Sequence, residues 1–184
     1  MEKGLASHDR GQLIMACGTG KTFTTLWIKE RLMADTALVL LPSLSLLSQT
    51  MREWVWGARV HFEVLAVCSD PTVGRSKVEL DKDITTSEVG RVTSSVEEIS
   101  AFLRTNKPSV IFCTYQSSEL IEEAQQDETV QGFDLIICDE AHRCAGKVSS
   151  TFGRILDEEK IRSKKRLFMT ATPRVLSQQI KKKA

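Results

Sequence analysis

The stretch Met15-Ala16-Cys17-Gly18-Thr19-Gly20-Lys21-Thr22 constrains this chain more than any other part of it. An apolar run from Leu13 to Ala16 leads into a small-residue loop closed by Gly-Lys-Thr, and a helix-compatible segment follows from Thr22 to about Met33. Strand, loop and helix in that order describe a phosphate-binding P-loop. Gly18 and Gly20 carry no Cβ, so the loop can reach backbone angles closed to other residues and turn its N–H groups around a phosphate. The first turn of the helix adds unpaired N–H groups and the positive end of its dipole, and Lys21 adds a full charge within reach of the β- and γ-phosphates. Thr22 offers a hydroxyl to Mg²⁺. The residues expected to cradle a nucleotide are therefore Cys17, Gly18, Thr19, Gly20, Lys21 and Thr22. Met15 stands where the strict pattern G-x-x-x-x-G-K-[ST] has its first glycine, so two glycines alone carry the turn.

A chain of 184 residues holds one domain with a sizeable core and is short for two. Its formal net charge of +1 and pI near 7.6 differ from the strongly basic balance, above about 9, common in nucleic-acid-binding domains. Contact with a polyanion must then come from placed residues and backbone donors. Five cysteines without a C-x-x-C pair suggest neither a disulfide framework nor a zinc site and fit reduced thiols. No secretory leader and no apolar run near 18 residues appear, which reads as a soluble, cytoplasmic protein without a membrane partner. Both ends read as cut, and a larger parent chain is expected around this domain.

Past the P-loop helix, Ala37 to Leu41 is continuously apolar, the pattern of a strand buried on both faces in a parallel sheet. Pro42 ends it, and Ser43 or Ser45 can cap a helix that carries Leu46, Leu47, Met51 and Trp54 toward the core. Phe62 to Cys68 is a third strand. Residues 69–94 turn to Asp, Lys, Thr, Ser and Gly and are expected to form a surface insertion. A helix over Ser95 to Arg104, a strand over Val110 to Cys113, a polar exit from Thr114 to Ser118, a charged outer helix over Glu119 to Val130 and a strand over Phe133 to Cys138 follow. A weaker helix near Ser150 to Leu156, a basic run from Lys160 to Arg166 and a short strand, Leu167 to Met169, complete the order. Strands alternating with helices at this spacing predict an α/β fold of three layers, a mainly parallel sheet flanked by helices.

In a parallel sheet every strand delivers its following loop to the same edge. That edge is expected to collect Gly18 to Thr22, Pro42 to Ser45, Thr114 to Gln116, Asp139 to His142 and Thr170 to Thr172. A carboxylate pair directly after a buried strand is what ATP hydrolysis needs beside a P-loop: Asp139 to hold Mg²⁺ and Glu140 to orient and polarise the attacking water.

These motifs in this order resemble the first RecA-like domain of a superfamily-two helicase or translocase of the DEAD/DEAH type, over nearly the whole chain. Ala16 to Thr22 is similar to motif I, Pro42 to Gln49 to motif Ia, Thr114-Tyr115-Gln116-Ser117 to a DNA-side motif, Asp139-Glu140-Ala141-His142 to motif II and Thr170-Ala171-Thr172 to motif III. The wording Ala-Cys-Gly-Thr-Gly-Lys-Thr with Asp-Glu-Ala-His-Arg looks closest to the motor subunits of type I and type III restriction systems. The resemblance implies ATP and Mg²⁺ as cofactors, catalysis by Lys21, Asp139 and Glu140, and magnesium held at Thr22 and Asp139. It implies coupling of nucleotide state to strand binding through His142, Thr170, Ala171 and Thr172. It implies nucleic-acid contacts from Pro42, Ser43, Ser45, Gln49, Thr114, Tyr115 and Gln116, with DNA rather than RNA as the polymer. Partners implied are a second RecA-like domain of the parent chain and other restriction-system subunits. Such families carry a glutamine upstream of motif I that reads adenine; Gln12 lies too near the loop for that role. The second domain would supply an arginine finger worth roughly 10³ to 10⁵ in rate, so this chain alone is expected to turn ATP over poorly.

The remaining polar and aromatic residues read more simply. Cys138, at a strand end, reads as packing, and His8 and His61 as surface or structural residues. Trp54 and Trp56 cannot both face the core from one helix. The 160–166 run reads as a solvated rim, with a DNA-backbone contact as the lesser alternative. The expected function is the ATP-binding and hydrolysing half of a helicase or translocase in a restriction-type system, against an RNA helicase motor or a P-loop nucleotide switch with little hydrolysis.

Overall fold

A computed structural model describes residues 5, 8–16, 18–68, 91–141 and 154–171. Seven strands form one sheet: β1 (Arg10–Ile14), β2 (Thr36–Leu41), β3 (Glu63–Val67), β4 (Arg91–Thr93), β5 (Ser109–Thr114), β6 (Phe133–Cys138) and β7 (Ser163–Thr170). Their order is β1-β7-β6-β2-β5-β3-β4 and every pairing is parallel. Among the described residues the longer helices between them are α1 (Lys21–Arg31), α2 (Leu44–Gly57), α3 (Val96–Leu103) and α4 (Ser118–Ala124), and residues 154–156 are helical ahead of β7.

Side chains alternate across each strand, so one apolar run feeds two cores. Leu38, Leu40, Ile111, Ile136 and Phe168 pack on one face with Ile99 and Phe102 of α3 and Ile121 of α4. Val39, Leu41, Phe112, Leu135 and Ile137 pack on the other with Leu26 of α1 and Leu47, Met51 and Trp54 of α2. This is the three-layer, parallel α/β arrangement of a P-loop fold. Trp54 is fully buried while Trp56 is 83% exposed, as one helix face requires. Cys138 is buried as packing, and burial pushes the Cys113 thiol far above its ordinary range, which leaves it inert.

Five expectations need correction. Arg91–Thr93, expected inside a surface insertion, is the edge strand β4, pairing Leu65 with Arg91 and Val67 with Thr93; an edge strand of three residues needs no apolar run to announce it. Residues 69–90 lie outside the described residues. The helix expected over 119–130 stops at Ala124, because Asp127 turns back to accept from the N–H and hydroxyl of Thr129. β1 begins earlier than Leu13 and β7 earlier than Leu167. Finally, the 160–166 run is not a solvated rim: Arg166 is 2% exposed, and its guanidinium donates to the carbonyls of Ile155 and Ile161. Arg162 likewise donates to the carbonyls of Gln125 and Val130, both at 2.7 Å. A guanidinium buries when its fixed fork meets carbonyls, and charge count along a sequence cannot reveal that.

Candidate nucleotide-binding site

β1 runs into the phosphate loop beside the end of β7, where the Met15 N–H donates to the Thr170 carbonyl at 3.2 Å. Gly18 (φ 75°) and Gly20 (φ 83°) both take left-handed backbone, and a Cβ at either would meet nothing within 4 Å. Conformation, not space, is what asks for glycine there. The Thr19 hydroxyl closes the turn onto the Ala16 carbonyl at 2.7 Å. Gly20 is the N-cap of α1 and supplies no side-chain cap, so the first N–H groups of the helix remain donors for an anion.

Lys21 rises from the first turn of α1, and its Nζ donates to Glu140 Oε1 at 3.1 Å, both side chains being largely buried. Glu140 follows β6 in left-handed backbone (φ 49°), a strained conformation for a residue with a Cβ. The neighbouring main chain holds it there. Asp139 N–H donates to the Leu40 carbonyl at 2.9 Å, Glu140 N–H donates to Asp139 Oδ1 at 2.9 Å, and the Tyr115 hydroxyl donates to the Asp139 carbonyl at 2.7 Å. β7 lies between β1 and β6, so the loop after β1 and the acids after β6 face one another across the end of a single strand.

One cleft results. Gly18, Lys21, Thr22, Thr25, Gln49, Thr50, Asp139 and Glu140 line it over an apolar floor of Val39, Leu41, Leu46 and Met169. Lys21, Thr22, Asp139 and Glu140 are thus brought together, while Thr19 and Gly20 belong to the loop and are not among the lining residues. Thr170 ends β7, buried, with Ala171 beside it. Cys17, His142 and Thr172 lie outside the described residues. Of the residues expected to meet nucleic acid, Ser43 is the N-cap of α2, accepting from the Leu46 N–H, with Pro42 before it and Ser45 exposed one residue into the helix. Gln49 lines the cleft and donates to Glu53 at 2.8 Å. In the loop after β5 only Gln116 is exposed: Thr114 is paired with Ser117 at 2.9 Å, and Tyr115 points to Asp139. Thr114 and Tyr115 therefore face inward, and their side chains serve the site's frame.

Sequence reasoning missed Thr25 and Thr50 in the cleft, and it missed a clamp. The indole N–H of Trp54 donates to the Thr22 carbonyl at 3.1 Å across 32 residues. Helical spacing marked Trp54 as core; that a buried indole needs an acceptor was the one available hint.

Residues 2–175 match the family of type III restriction enzyme res subunits. The chain belongs to that family. It is a superfamily-two helicase-like domain close to the restriction-enzyme branch. It is 35% identical over 177 residues to a probable helicase of African swine fever virus (isolate Pig/Kenya/KEN-50/1950), covering 92% of this chain and 18% of the viral protein. Among solved structures, a nuclease-deletion mutant of the Type ISP restriction-modification enzyme LlaGI, in complex with a DNA substrate mimic, superposes with a TM-score of 0.76 at 37% identity, over 95% of this chain and 16% of that one. The ATP-dependent Type ISP enzyme LlaBIII bound to DNA gives 0.74 at 36%, over 94% and 12%. The Hef helicase domain of Pyrococcus furiosus, at 23% identity, 0.61 and coverage of 98% and 34%, shares the fold. The chain thus spans less than a fifth of the viral relative and of both restriction enzymes. No helix among the described residues is long and apolar enough to cross a membrane.

Proposed function

We propose that this res-subunit domain is the ATP-binding and hydrolysing half of a DNA helicase or translocase, with a second RecA-like domain completing the motor in the full-length protein. The observation that carries the reading is the single cleft in which Lys21, Thr22, Asp139 and Glu140 converge at the carboxyl edge of the sheet. The loop and the first turn of α1 bind the phosphate chain, and Lys21 leaves Glu140 for the γ-phosphate oxygens, which offer it more negative charge. Glu140, so released, takes up its task of orienting the attacking water.

The donor set fits a magnesium ion bound together with nucleotide. The Thr22 hydroxyl and the Asp139 carboxylate are hard oxygen ligands in the same cleft. Among the described residues no cluster of three or more His, Cys, Asp or Glu could hold a metal alone, so nucleotide oxygens would complete the shell. The ion would neutralise charge on the β- and γ-phosphates. Glu140 also favours hydrolysis over a nucleotide switch, which has no use for a water-polarising carboxylate beside the magnesium acid.

DNA as the polymer is supported by the DNA-bound state of the two Type ISP enzymes. The test is ATP turnover by the full-length protein with duplex DNA, single-stranded DNA or RNA. Strong stimulation by duplex DNA, lost in Glu140→Gln by about 10²-fold or more while nucleotide binding persists, is the expected outcome. Stimulation by RNA alone, or turnover unchanged in Glu140→Gln, would overturn it.

A further inference from the structure

Two aromatic side chains, one on a helix and one in a 3₁₀ turn, reach from outside the phosphate loop to the main chain of the site. Trp54 sits on α2, whose opening, Pro42 to Gln49, carries the residues expected to meet nucleic acid; its indole N–H donates to the carbonyl of Thr22 at 3.1 Å. Tyr115 sits in the 3₁₀ turn Tyr115–Ser117, the second segment expected to meet nucleic acid; its hydroxyl donates to the carbonyl of Asp139 at 2.7 Å. Thr22 and Asp139 are the two residues proposed to hold magnesium. Each is thus gripped by its backbone, one from α2 and the other from the turn after β5, across 32 and 24 residues respectively.

Burial alone would have been satisfied by any acceptor, and the acceptors chosen are informative. The Thr22 carbonyl already takes the Thr25 hydroxyl at 2.8 Å, so it did not need the indole. The indole ring is itself locked, edge-on to Phe62 at 6.4 Å and to Phe112 at 5.6 Å, so it transmits a shift of α2 and does not absorb it. α2 also lays Leu46, Gln49 and Thr50 along the cleft. Tyr115 is likewise rigid: it is 6% exposed, at the end of a strand buried throughout.

We infer that Trp54 and Tyr115 are positioning residues that tie the placement of Thr22 and Asp139 to the two nucleic-acid-facing segments, so that nucleotide occupancy is felt at residues 43–49 and 114–117. The inference rests on the proposed function and asks how that site communicates. Neither residue touches the reacting atoms.

The experiment is hydrogen–deuterium exchange of the full-length protein with and without Mg-ATPγS, followed at 43–49 and 114–117, in wild type, Tyr115→Phe and Trp54→Phe. Tyr115→Phe keeps the ring and removes only the hydroxyl; Trp54→Phe keeps an aromatic core residue and removes the N–H. In wild type, nucleotide should slow exchange in both segments. Tyr115→Phe should lose the response at 114–117 and Trp54→Phe the response at 43–49, while nucleotide affinity stays within about fivefold, the worth of one hydrogen bond. DNA stimulation of turnover should fall in both. A merely structural role would slacken exchange equally with and without nucleotide. Overturning results are a wild type that binds nucleotide without any change in these segments, or variants that respond as wild type does. Failure of wild type to bind Mg-nucleotide at all would strike the proposed function itself, a distinguishable outcome.

Discussion

Lys21 and Glu140 neutralise one another at 3.1 Å with 12% and 14% of their side chains exposed, so neither can be changed without consequence for the other. Removing one partner leaves a largely desolvated charge and costs about 1–3 kcal/mol. Lys21→Ala and Glu140→Gln should each lower the urea midpoint, and the double variant should lose less than the sum, because no charge is then left behind. Strict additivity in that cycle would mean the pair is not coupled in solution. The residue scale is also where sequence was most informative about the site and where it stopped. Gly18, Gly20, Lys21, Asp139 and Glu140 were legible because their chemistry is tied to fixed spacing after a strand. Trp54 and Tyr115 were legible only as core and as loop, since a hydrogen bond spanning 24 or 32 residues leaves no local trace.

Among the elements, α2 bears most on the proposed coupling. Ser43 in extended backbone (φ −153°) caps it with a side-chain bond to the Leu46 N–H, and Leu46 is itself a cleft residue. Ser43→Ala should therefore cost about 1 kcal/mol of stability and also weaken nucleotide binding, whereas Ser95→Ala, which uncaps α3 on the opposite face, should cost a similar amount and leave binding untouched. Equal nucleotide affinities in the two variants would contradict the placement of α2 at the site. Buried strands such as Thr36–Leu41 and Phe133–Cys138 were readable because both faces are covered and the whole run is apolar. Edge strands were readable only in part: Leu13 and Ile14 announced β1, but its start was hidden because Arg10 and Gln12 face outward, and β4, three residues long, left no apolar run. The early end of α4 was hidden because Gln125, Gln126 and Glu128 are acceptable in a helix, and the Asp127 turn decides otherwise.

At the scale of the molecule, Asp134 and Lys164 fasten β6 to β7 at the sheet edge opposite the site, at 2.7 Å. Burial works against the Asp134 charge, but hydrogen bonds from Lys164 and from Thr36 outweigh it and hold the carboxyl below its ordinary range. Its contribution is therefore complete above the unfolded value, about 3.9, and is lost as pH falls through the lower folded value. The hydrogen bond to Asp134 raises Lys164, whose contribution is complete below about 10.4 and is lost as pH rises through the raised value. Unfolding free energy should thus be flat between about pH 5 and 10 as far as this pair is concerned, and Asp134→Asn should flatten the acid limb below about pH 4. An unchanged acid limb in Asp134→Asn would remove the pair from the account. The parallel order with β7 set between β1 and β6 followed from no local pattern, although it is what brings the phosphate loop and the two acids to face each other.

Isothermal calorimetry of Mg-ATPγS binding to wild type, Lys21→Ala and Glu140→Gln asks whether Lys21, Thr22, Asp139 and Glu140 form one Mg-nucleotide site. Wild type should bind, Glu140→Gln should retain binding, and Lys21→Ala should lose at least about tenfold in affinity, the loss of a charge-assisted contact. Binding that survives Lys21→Ala at undiminished affinity would contradict a site of that composition.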